Sequence, residues 1–213
     1  MSLEQVGGAN PLYHGFHLVG HAKNVGQVLA AELADGDYVL PVEATIDVSV
    51  LPEVTPFFDE PTNTLSYVVK DPATAACAIV DCVLDLDYPS GSISFGGADQ
   101  IIAFIQEQGL ELQWILETHV HADHLSAAPY IQKRLGGKIA IGACITKVQE
   151  VFGAVFNAGP DFARDGSQFD CLLQDGDRIT IGEMDGCALH TPGHTPACMT
   201  YVLGDAIFVG DTL

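Results

Sequence analysis

The sequence predicts a layered α/β fold in which helices pack on β-sheets. Hydrophobic residues make up 48% of the 213 residues and charged residues 17%, which suits a buried core of ordinary size. From Pro52 onward, short β-branched runs alternate with helices of moderate length. No internal repeat or low-complexity tract occurs. We therefore expect one main domain over residues 52–213, preceded by an N-terminal extension over residues 1–51.

The net charge of the chain restricts its possible binding partners. Eight Lys and Arg against 28 Asp and Glu give a formal net charge of −20, so a nucleic-acid backbone would be repelled. No apolar stretch reaches the ~20 residues that a membrane span needs, and no secretory signal is recognisable. We expect a cytoplasmic protein with a small-molecule substrate and neither nucleic-acid nor membrane partners, and the sequence is compatible with a homodimer. An anionic substrate must then meet local positive charge, most naturally a metal ion.

The residues outside the main domain carry little chemistry. The N-terminal extension contains His14, His17 and His21 and a predicted helix near residues 25–33. These histidines are interpreted as incidental because no fourth metal ligand lies near them.

The six cysteines of the chain form no C-x-x-C pair, so all are predicted to be reduced.

The main domain alternates between predicted strands and helices. Ile101, Ile102 and Ile105 share one helical face, and Gly109 follows the helix as a stop signal. Residues 90–97 are predicted to form a Ser/Gly-rich loop. Strands are predicted at residues 64–70, 77–84, 112–116, 138–141, 178–181, 187–190, 199–203 and 206–209. Helices are predicted at residues 98–108, 126–135 and 145–156.

The segment THVHADH, at residues 118–124, follows a predicted buried strand and supplies four candidate metal ligands. These are His119, His121, Asp123 and His124. Imidazoles two residues apart can converge on one ion if the loop curls around it. Such a concentration is far from random in a chain with eight histidines, so the segment predicts a metal site.

A predicted hairpin brings two further ligands together. Gly204-Asp205 is a turn signal between two apolar runs, which should therefore pair as antiparallel strands. His194 precedes the first strand and Asp211 follows the second. We expect both side chains at the same mouth of the hairpin despite their separation in sequence.

These motifs resemble those of the metallo-β-lactamase superfamily. THVHADH, then Thr-Pro-Gly-His-Thr at residues 191–195, then Gly-Asp-Thr-Leu at residues 210–213 occur in the family's order, and the resemblance covers residues 52–213. It implies the αβ/βα sandwich of that family. Thr118, Ala122 and Leu125 make the first motif more similar to glyoxalase II and the persulfide dioxygenases. The region from residue 58 to residue 81 resembles the persulfide dioxygenase and β-lactamase-like hydrolase branch.

The resemblance implies two arrangements of the ligands. In the dioxygenases, His119, His194 and Asp211 would bind a single iron(II), and two imidazoles with one carboxylate also form the facial triad suited to iron and oxygen. In the hydrolases, His121 would join the first ion, while Asp123 and His124 would bind a second and Asp211 would bridge. His121 and Asp123 are also the candidate catalytic residues. The first motif is compatible with both arrangements.

Three functions follow as hypotheses. The first is an iron(II)-dependent persulfide dioxygenase of sulfur metabolism, which oxidises glutathione persulfide to sulfite and glutathione. The alternative is a glyoxalase II-like thioester hydrolase with one or two zinc ions, in which the metal activates water. The third is a catalytically incomplete metal-binding domain. Members of the family continue beyond the motif at residues 210–211, so the resemblance implies that part of the second half of the sandwich is lacking here.

Overall fold

The computed structural model describes residues 19–21, 46–121 and 124–212. Asp123, His14, His17 and the helix predicted near residues 25–33 lie outside this range. Among the described residues the strands, in chain order, are β1 Val19–His21, β2 Glu53–Asp59, β3 Thr64–Lys70, β4 Ala76–Val80, β5 Val83–Asp87, β6 Ser92–Ser94, β7 Glu111–Leu116, β8 Leu125–Ser126, β9 Lys138–Gly142, β10 Cys171–Leu173, β11 Arg178–Ile181, β12 Met184–His190, β13 Met199–Leu203 and β14 Ala206–Phe208. The helices there are α1 Gly96–Glu107, α2 Ala128–Leu135 and α3 Ile145–Val155, with a 3₁₀ turn at Gly210–Thr212.

Six strands form a mixed sheet in the order β10-β9-β7-β4-β3-β2. Its strands β10, β9, β7 and β4 are parallel, whereas β3 and β2 are antiparallel additions. All five residues of β4 are buried, as expected for a central strand that is covered on both faces. The carboxyl ends of β4, β7 and β9 therefore meet at one edge of this sheet.

The second sheet contains five antiparallel strands in the order β1-β14-β13-β12-β11. Its β13–β14 hairpin turns at Gly204-Asp205, as the sequence predicts, and Gly204 has a φ of +56°. Strand β1 pairs with β14 at the edge. A small third sheet, in the order β6-β5-β8, completes the described strands.

Alternating side chains of the mixed sheet face two separate cores. In β4, Ala78 and Val80 pack against the second sheet, in a cluster that includes Tyr201. Cys77 and Ile79 face the opposite way and pack among residues of α1 and α2. This period of two follows from the pleat of a strand and produces a layered sandwich, with helices on the outer face of the mixed sheet. The predicted fold class is confirmed.

The structure corrects three predicted boundaries. The strand predicted at residues 77–84 is broken at Asp81, which has a φ of +51°. The Asp81 N–H still donates to the carbonyl of Leu116 at the end of β7, and beyond this residue the chain leaves the mixed sheet. The predicted loop at residues 90–97 contains β6, which pairs with β5, and the beginning of α1. Ser126 belongs to β8, and the helix predicted from residue 126 begins two residues later.

The described helices are also informative about membranes. No helix in the part of the chain that the structure describes is long and apolar enough to cross a bilayer.

Candidate metal centre

The candidate centre lies where the edge of the mixed sheet meets the end of the β13–β14 hairpin. Strand β7 ends at Leu116, and the chain continues directly into the residues of THVHADH. Two hydrogen bonds join the sheets at this point. The Met199 N–H donates to the carbonyl of Thr118 over 2.8 Å, and the buried Tyr201 hydroxyl donates to the carbonyl of Glu117 over 2.7 Å. The two halves of the site are therefore fixed relative to each other.

Three of the predicted ligands converge at this junction. The Nε2 atoms of His119 and His194 each lie 3.7 Å from Oδ2 of Asp211. One donor atom of each residue lies within 4.8 Å of the others, and the two imidazole rings are almost perpendicular, at 85°. Ligands of one zinc ion, each at ~2.1 Å from it, are roughly 3–4 Å apart. The three side chains therefore fit a single ion, and their role as ligands stays a prediction.

A chain of buried hydrogen bonds sets the protonation of His119. Asp81 accepts the Thr118 backbone N–H over 2.7 Å and the Thr118 hydroxyl over 2.8 Å. Because that hydroxyl donates to Asp81, it accepts from Nδ1 of His119, 3.0 Å away. The lone pair of His119 is then on Nε2, the atom that faces Asp211. Burial, followed by the neighbouring His121, lowers the pKa of His119 and favours the neutral form that binds metals.

Gly210 allows Asp211 to approach this buried half. Its φ is +55°, and a Cβ at this position would lie only 2.8 Å from Cβ of Thr118 and closer still to the Thr118 hydroxyl. A side chain at residue 210 would therefore force the 3₁₀ turn away from Thr118. The Gly-Asp pair acts as a unit, since the glycine permits the contact and the aspartate supplies the carboxylate.

His194 is held by the geometry of its loop. The Thr195 N–H donates to Sγ of the buried Cys198 over 3.2 Å, and the Thr191 N–H donates to the Cys198 carbonyl over 3.0 Å. Ala197 of the same loop packs with residues of α3. The His194 side chain itself is 45% exposed, so this side of the centre is open to a substrate.

His121 faces two buried carboxylates. Its Nε2 lies 3.4 Å from Oδ1 of Asp81 and 3.9 Å from Oε2 of Glu117. The other oxygen of Glu117 accepts the Ser126 hydroxyl over 2.5 Å. Burial, together with the charge of Asp81, raises the pKa of Glu117. These contacts place the His121 ring next to that of His119, with centroids 4.0 Å apart.

His124 extends the same row of imidazoles. Its ring stacks on that of His121 with centroids 4.0 Å apart, and its Nδ1 donates to the Leu125 carbonyl over 3.1 Å. The lone pair of the His124 ring is then on Nε2, the nitrogen that would face a metal ion. Asp123 lies outside the described residues, so the predicted second ion stays a prediction.

Three residues that support the candidate centre were not predicted from the sequence. Asp81 falls inside the strand predicted at residues 77–84, Glu117 directly follows the strand predicted at residues 112–116, and Cys198 is one of six cysteines predicted only to be reduced. The available signal was an acidic residue at the end of a fully apolar run, where an unpaired carboxylate would be costly.

All six cysteines are free in the structure. Cys77, Cys82, Cys187 and Cys198 are buried.

Comparisons with known proteins show which proteins this chain is similar to. Residues 59–213 match the family model of the metallo-beta-lactamase superfamily. A probable metallo-hydrolase of Burkholderia pseudomallei (strain 1710b) is 55% identical over 167 residues, which cover 74% of this chain and 57% of that protein. The human mitochondrial persulfide dioxygenase ETHE1 is 28% identical over 158 residues, which cover 73% of this chain and 50% of that protein.

A solved structure supports the fold independently. The crystal structure of ETHE1 from Myxococcus xanthus superposes with a TM-score of 0.52 at 24% identity, over 72% of this chain and 54% of that one. At this identity the likeness concerns the fold alone. The match covers 57% of the Burkholderia pseudomallei protein, 50% of human ETHE1 and 54% of the Myxococcus xanthus structure, so the chain spans about half the length of these relatives.

Proposed function

The chain belongs to the metallo-β-lactamase superfamily of metal-dependent enzymes, and from this premise we propose that it acts as an iron(II)-dependent persulfide dioxygenase. The substrate would be glutathione persulfide. One O2 and one water would be consumed as the outer sulfur becomes sulfite and glutathione is released. The observation that carries the proposal is the set formed by His119, His194 and Asp211, two imidazoles and one carboxylate on one face of a potential ion.

The three residues of this set would have different roles. His119 offers Nε2 because its Nδ1 is held by Thr118, and Asp211 supplies the single negative charge that partly balances iron(II). Bound there, iron(II) would supply the position at which persulfide and O2 react. The exposed side of His194 leaves room for the persulfide, while His119 and the buried network exclude water from the opposite side. Proximity and orientation would be the main contribution of the protein.

The known relatives support the substrate class in part. The human relative is named a persulfide dioxygenase, which supports a small persulfide as the substrate. The chain has a formal charge of −20, so long-range attraction of an anionic thiol is not expected. Binding would then depend on contacts at the centre.

A thioester hydrolase is the second candidate. The observation that favours it is the row of rings from His119 through His121 to His124, which would serve a second ion together with Asp123. The relative that is 55% identical is also named a metallo-hydrolase. Zinc at such a site would lower the pKa of a bound water and polarise the thioester carbonyl.

The experiment that separates the two candidates combines metal analysis with two assays. Iron-loaded protein should take up oxygen with glutathione persulfide and contain close to one metal per chain. Asp123→Ala should retain both properties, with activity reduced by roughly 10 to 100-fold, as is typical for groups that support a ligand set. His194→Ala should lose both. Two metals per wild-type chain, with fast hydrolysis of an acylglutathione and no persulfide-dependent oxygen uptake, would favour the hydrolase instead.

A further inference from the structure

We propose that the exposed apolar face of α3 is the surface through which two copies of this chain form a two-fold symmetric dimer. We call this surface the α3 patch and define it by Val151, Phe152, Val155 and Phe156. The inference concerns assembly, and it depends neither on the metal centre nor on the reaction performed there.

The α3 patch is the densest group of exposed apolar side chains in the part of the chain that the structure describes. Large hydrophobic residues are exposed at eleven positions there, and four of these lie within six residues at the end of α3. Val155 and Phe156 are 68% and 73% exposed. Scattered exposed hydrophobic residues are ordinary on a protein surface, whereas a contiguous group indicates a contact site.

The apolar stripe of α3 is wider than the part that the fold covers. Ile145 and Val148 are buried and pack with Ala197, which lies in the loop before β13. Val151 and Val155 follow Val148 at spacings of three and seven residues, so they continue the same stripe along the helix. Both are nevertheless exposed. A further apolar surface is needed to cover them.

The shape of the α3 patch suits an identical helix. Val151 and Val155 form one row at a spacing of four residues, and Phe152 and Phe156 form the next. The two phenyl rings are stacked, with centroids 5.7 Å apart and 11° between their planes, so they make a flat wall beside the valine row. Such rows pack into the grooves of a crossing helix, and a two-fold axis makes this contact reciprocal.

Charge favours a second copy over other partners. A net charge of −20 makes two copies repel each other, so they can meet only at a surface without charge. Residues 151–160 contain no charged residue. The α3 patch therefore has no carboxylate to attract a basic protein. Helix α3 contains a single Lys, whereas an amphipathic helix that binds an anionic membrane carries a face rich in Lys and Arg.

The described parts of the N-terminal extension are engaged at the second sheet. Strand β1 pairs with β14, and Ile46 packs with Cys187 and Val209. Helix α3 instead packs on Ile141 of the mixed sheet. These parts of the extension therefore leave the α3 patch exposed.

The area of the α3 patch is sufficient for a weak dimer. At their observed exposures the four side chains present roughly 400 Å² of apolar surface in each copy, since an aromatic side chain carries about 150–250 Å². Burial in both copies gives roughly 800 Å², and an interface that is about 65% apolar then totals roughly 1,200 Å². This total is at the lower end for specific interfaces. We expect a reversible dimer with a dissociation constant in the micromolar range.

Sedimentation equilibrium of the full chain between roughly 1 and 200 µM tests the proposal. The wild type should form a dimer that becomes tighter between roughly 50 and 500 mM NaCl, because salt screens the repulsion between two acidic copies. Phe156→Asp places a charge in both halves of the interface and should weaken the dimer roughly 30-fold or more. Phe58→Asp is the matched control, since it makes the same change at an exposed phenylalanine of β2 and should leave the dimer unchanged.

Val151→Lys is a second variant that separates the α3 patch from general repulsion. It makes the chain less negative, so repulsion alone would give a tighter dimer. A charge buried in the α3 patch should instead weaken the dimer roughly tenfold or more. Each of these variants alters an exposed side chain, so the monomer should melt close to the wild-type temperature.

Three results would overturn the proposal. One is a wild type that stays monomeric at the highest concentration, which would mean that another part of the chain or another protein covers the α3 patch. Another is equal weakening by Phe58→Asp and Phe156→Asp, which would place the interface elsewhere. The third is a dimer that dissociates as salt is added, because ion pairs would then hold it.

Discussion

The two halves of the candidate centre are built in different ways. The His119 half is buried, with that side chain 1% exposed, and Asp81 and Thr118 hold it by hydrogen bonds. The half formed by His194 and Asp211 is open, at 45% and 33% exposure, and turns of the chain hold it. One half is fixed by side-chain chemistry and the other by backbone geometry. Changes in the buried half should therefore affect folding and metal binding together, whereas changes in the open half should affect metal binding with little cost in stability.

Asp81→Ala should produce the largest loss of stability. It leaves the backbone N–H and the hydroxyl of Thr118 without their buried acceptor, and each such loss costs about 1–3 kcal/mol. We expect the free energy of unfolding to fall by about 3–5 kcal/mol in urea denaturation, with weakened metal binding. Asp81→Asn should lose less, because asparagine tolerates the positive φ and retains an acceptor. If Asp81→Ala were as stable as the wild type, hydrogen bonds from Thr118 to Asp81 would not be what holds the buried half.

Gly210→Ala should come next, because it affects the contact between the halves. The added Cβ meets the Thr118 side chain, and alanine is strained at a φ of +55°. We expect a loss of about 2–3 kcal/mol and a lower metal content, since Asp211 must move with the turn. Gly193→Ala is the control, because a Cβ there would meet no atom within 4 Å. Similar losses in both variants would contradict the steric explanation.

His194→Ala should separate metal binding from stability. Its imidazole is nearly half exposed, so we expect the unfolding free energy of the metal-free protein to change by no more than ~0.5 kcal/mol. Metal content should nevertheless fall to background. His119→Ala, measured in parallel, should lose the metal and also several tenths to a few kcal/mol of stability because its ring is buried. Equal stability changes in the two variants would show that burial does not distinguish the halves.

Cys198→Ala should have the smallest effect on metal binding. It removes the sulfur that accepts the Thr195 N–H and leaves the backbone of the His194 loop otherwise intact. We expect a loss of about 1 kcal/mol and a metal affinity that falls by less than tenfold. Calorimetric melting and a zinc competition titration would measure the two effects. A complete loss of metal would mean that the open half depends on side-chain chemistry after all.

The same contrast explains what the sequence could predict. The open half follows from local rules, because Gly204-Asp205 indicates the hairpin and the hairpin brings His194 and Asp211 together. Most strands of both sheets were also predictable, since buried strands are apolar and bounded by turn residues. His119 was identified by its neighbours in THVHADH.

The buried half depends on contacts between distant residues. Asp81 and Thr118 are 37 positions apart, and their pairing requires the parallel alignment of β4 and β7. The break at Asp81 was missed because Cys82 and Val83 continue the apolar pattern of β4. Tertiary hydrogen bonds override the local preference at that point. The orientation of His121 toward Glu117 and Asp81 was equally invisible, because side-chain direction within a loop is set by packing.

A crystal structure of the protein loaded anaerobically with iron(II) would test the central claim most directly. We predict one ion per chain, bonded to Nε2 of His119, Nε2 of His194 and a carboxylate oxygen of Asp211. An ion bound without Asp211, or two ions per chain with Asp123 and His124 bonded to the second, would contradict the mononuclear centre.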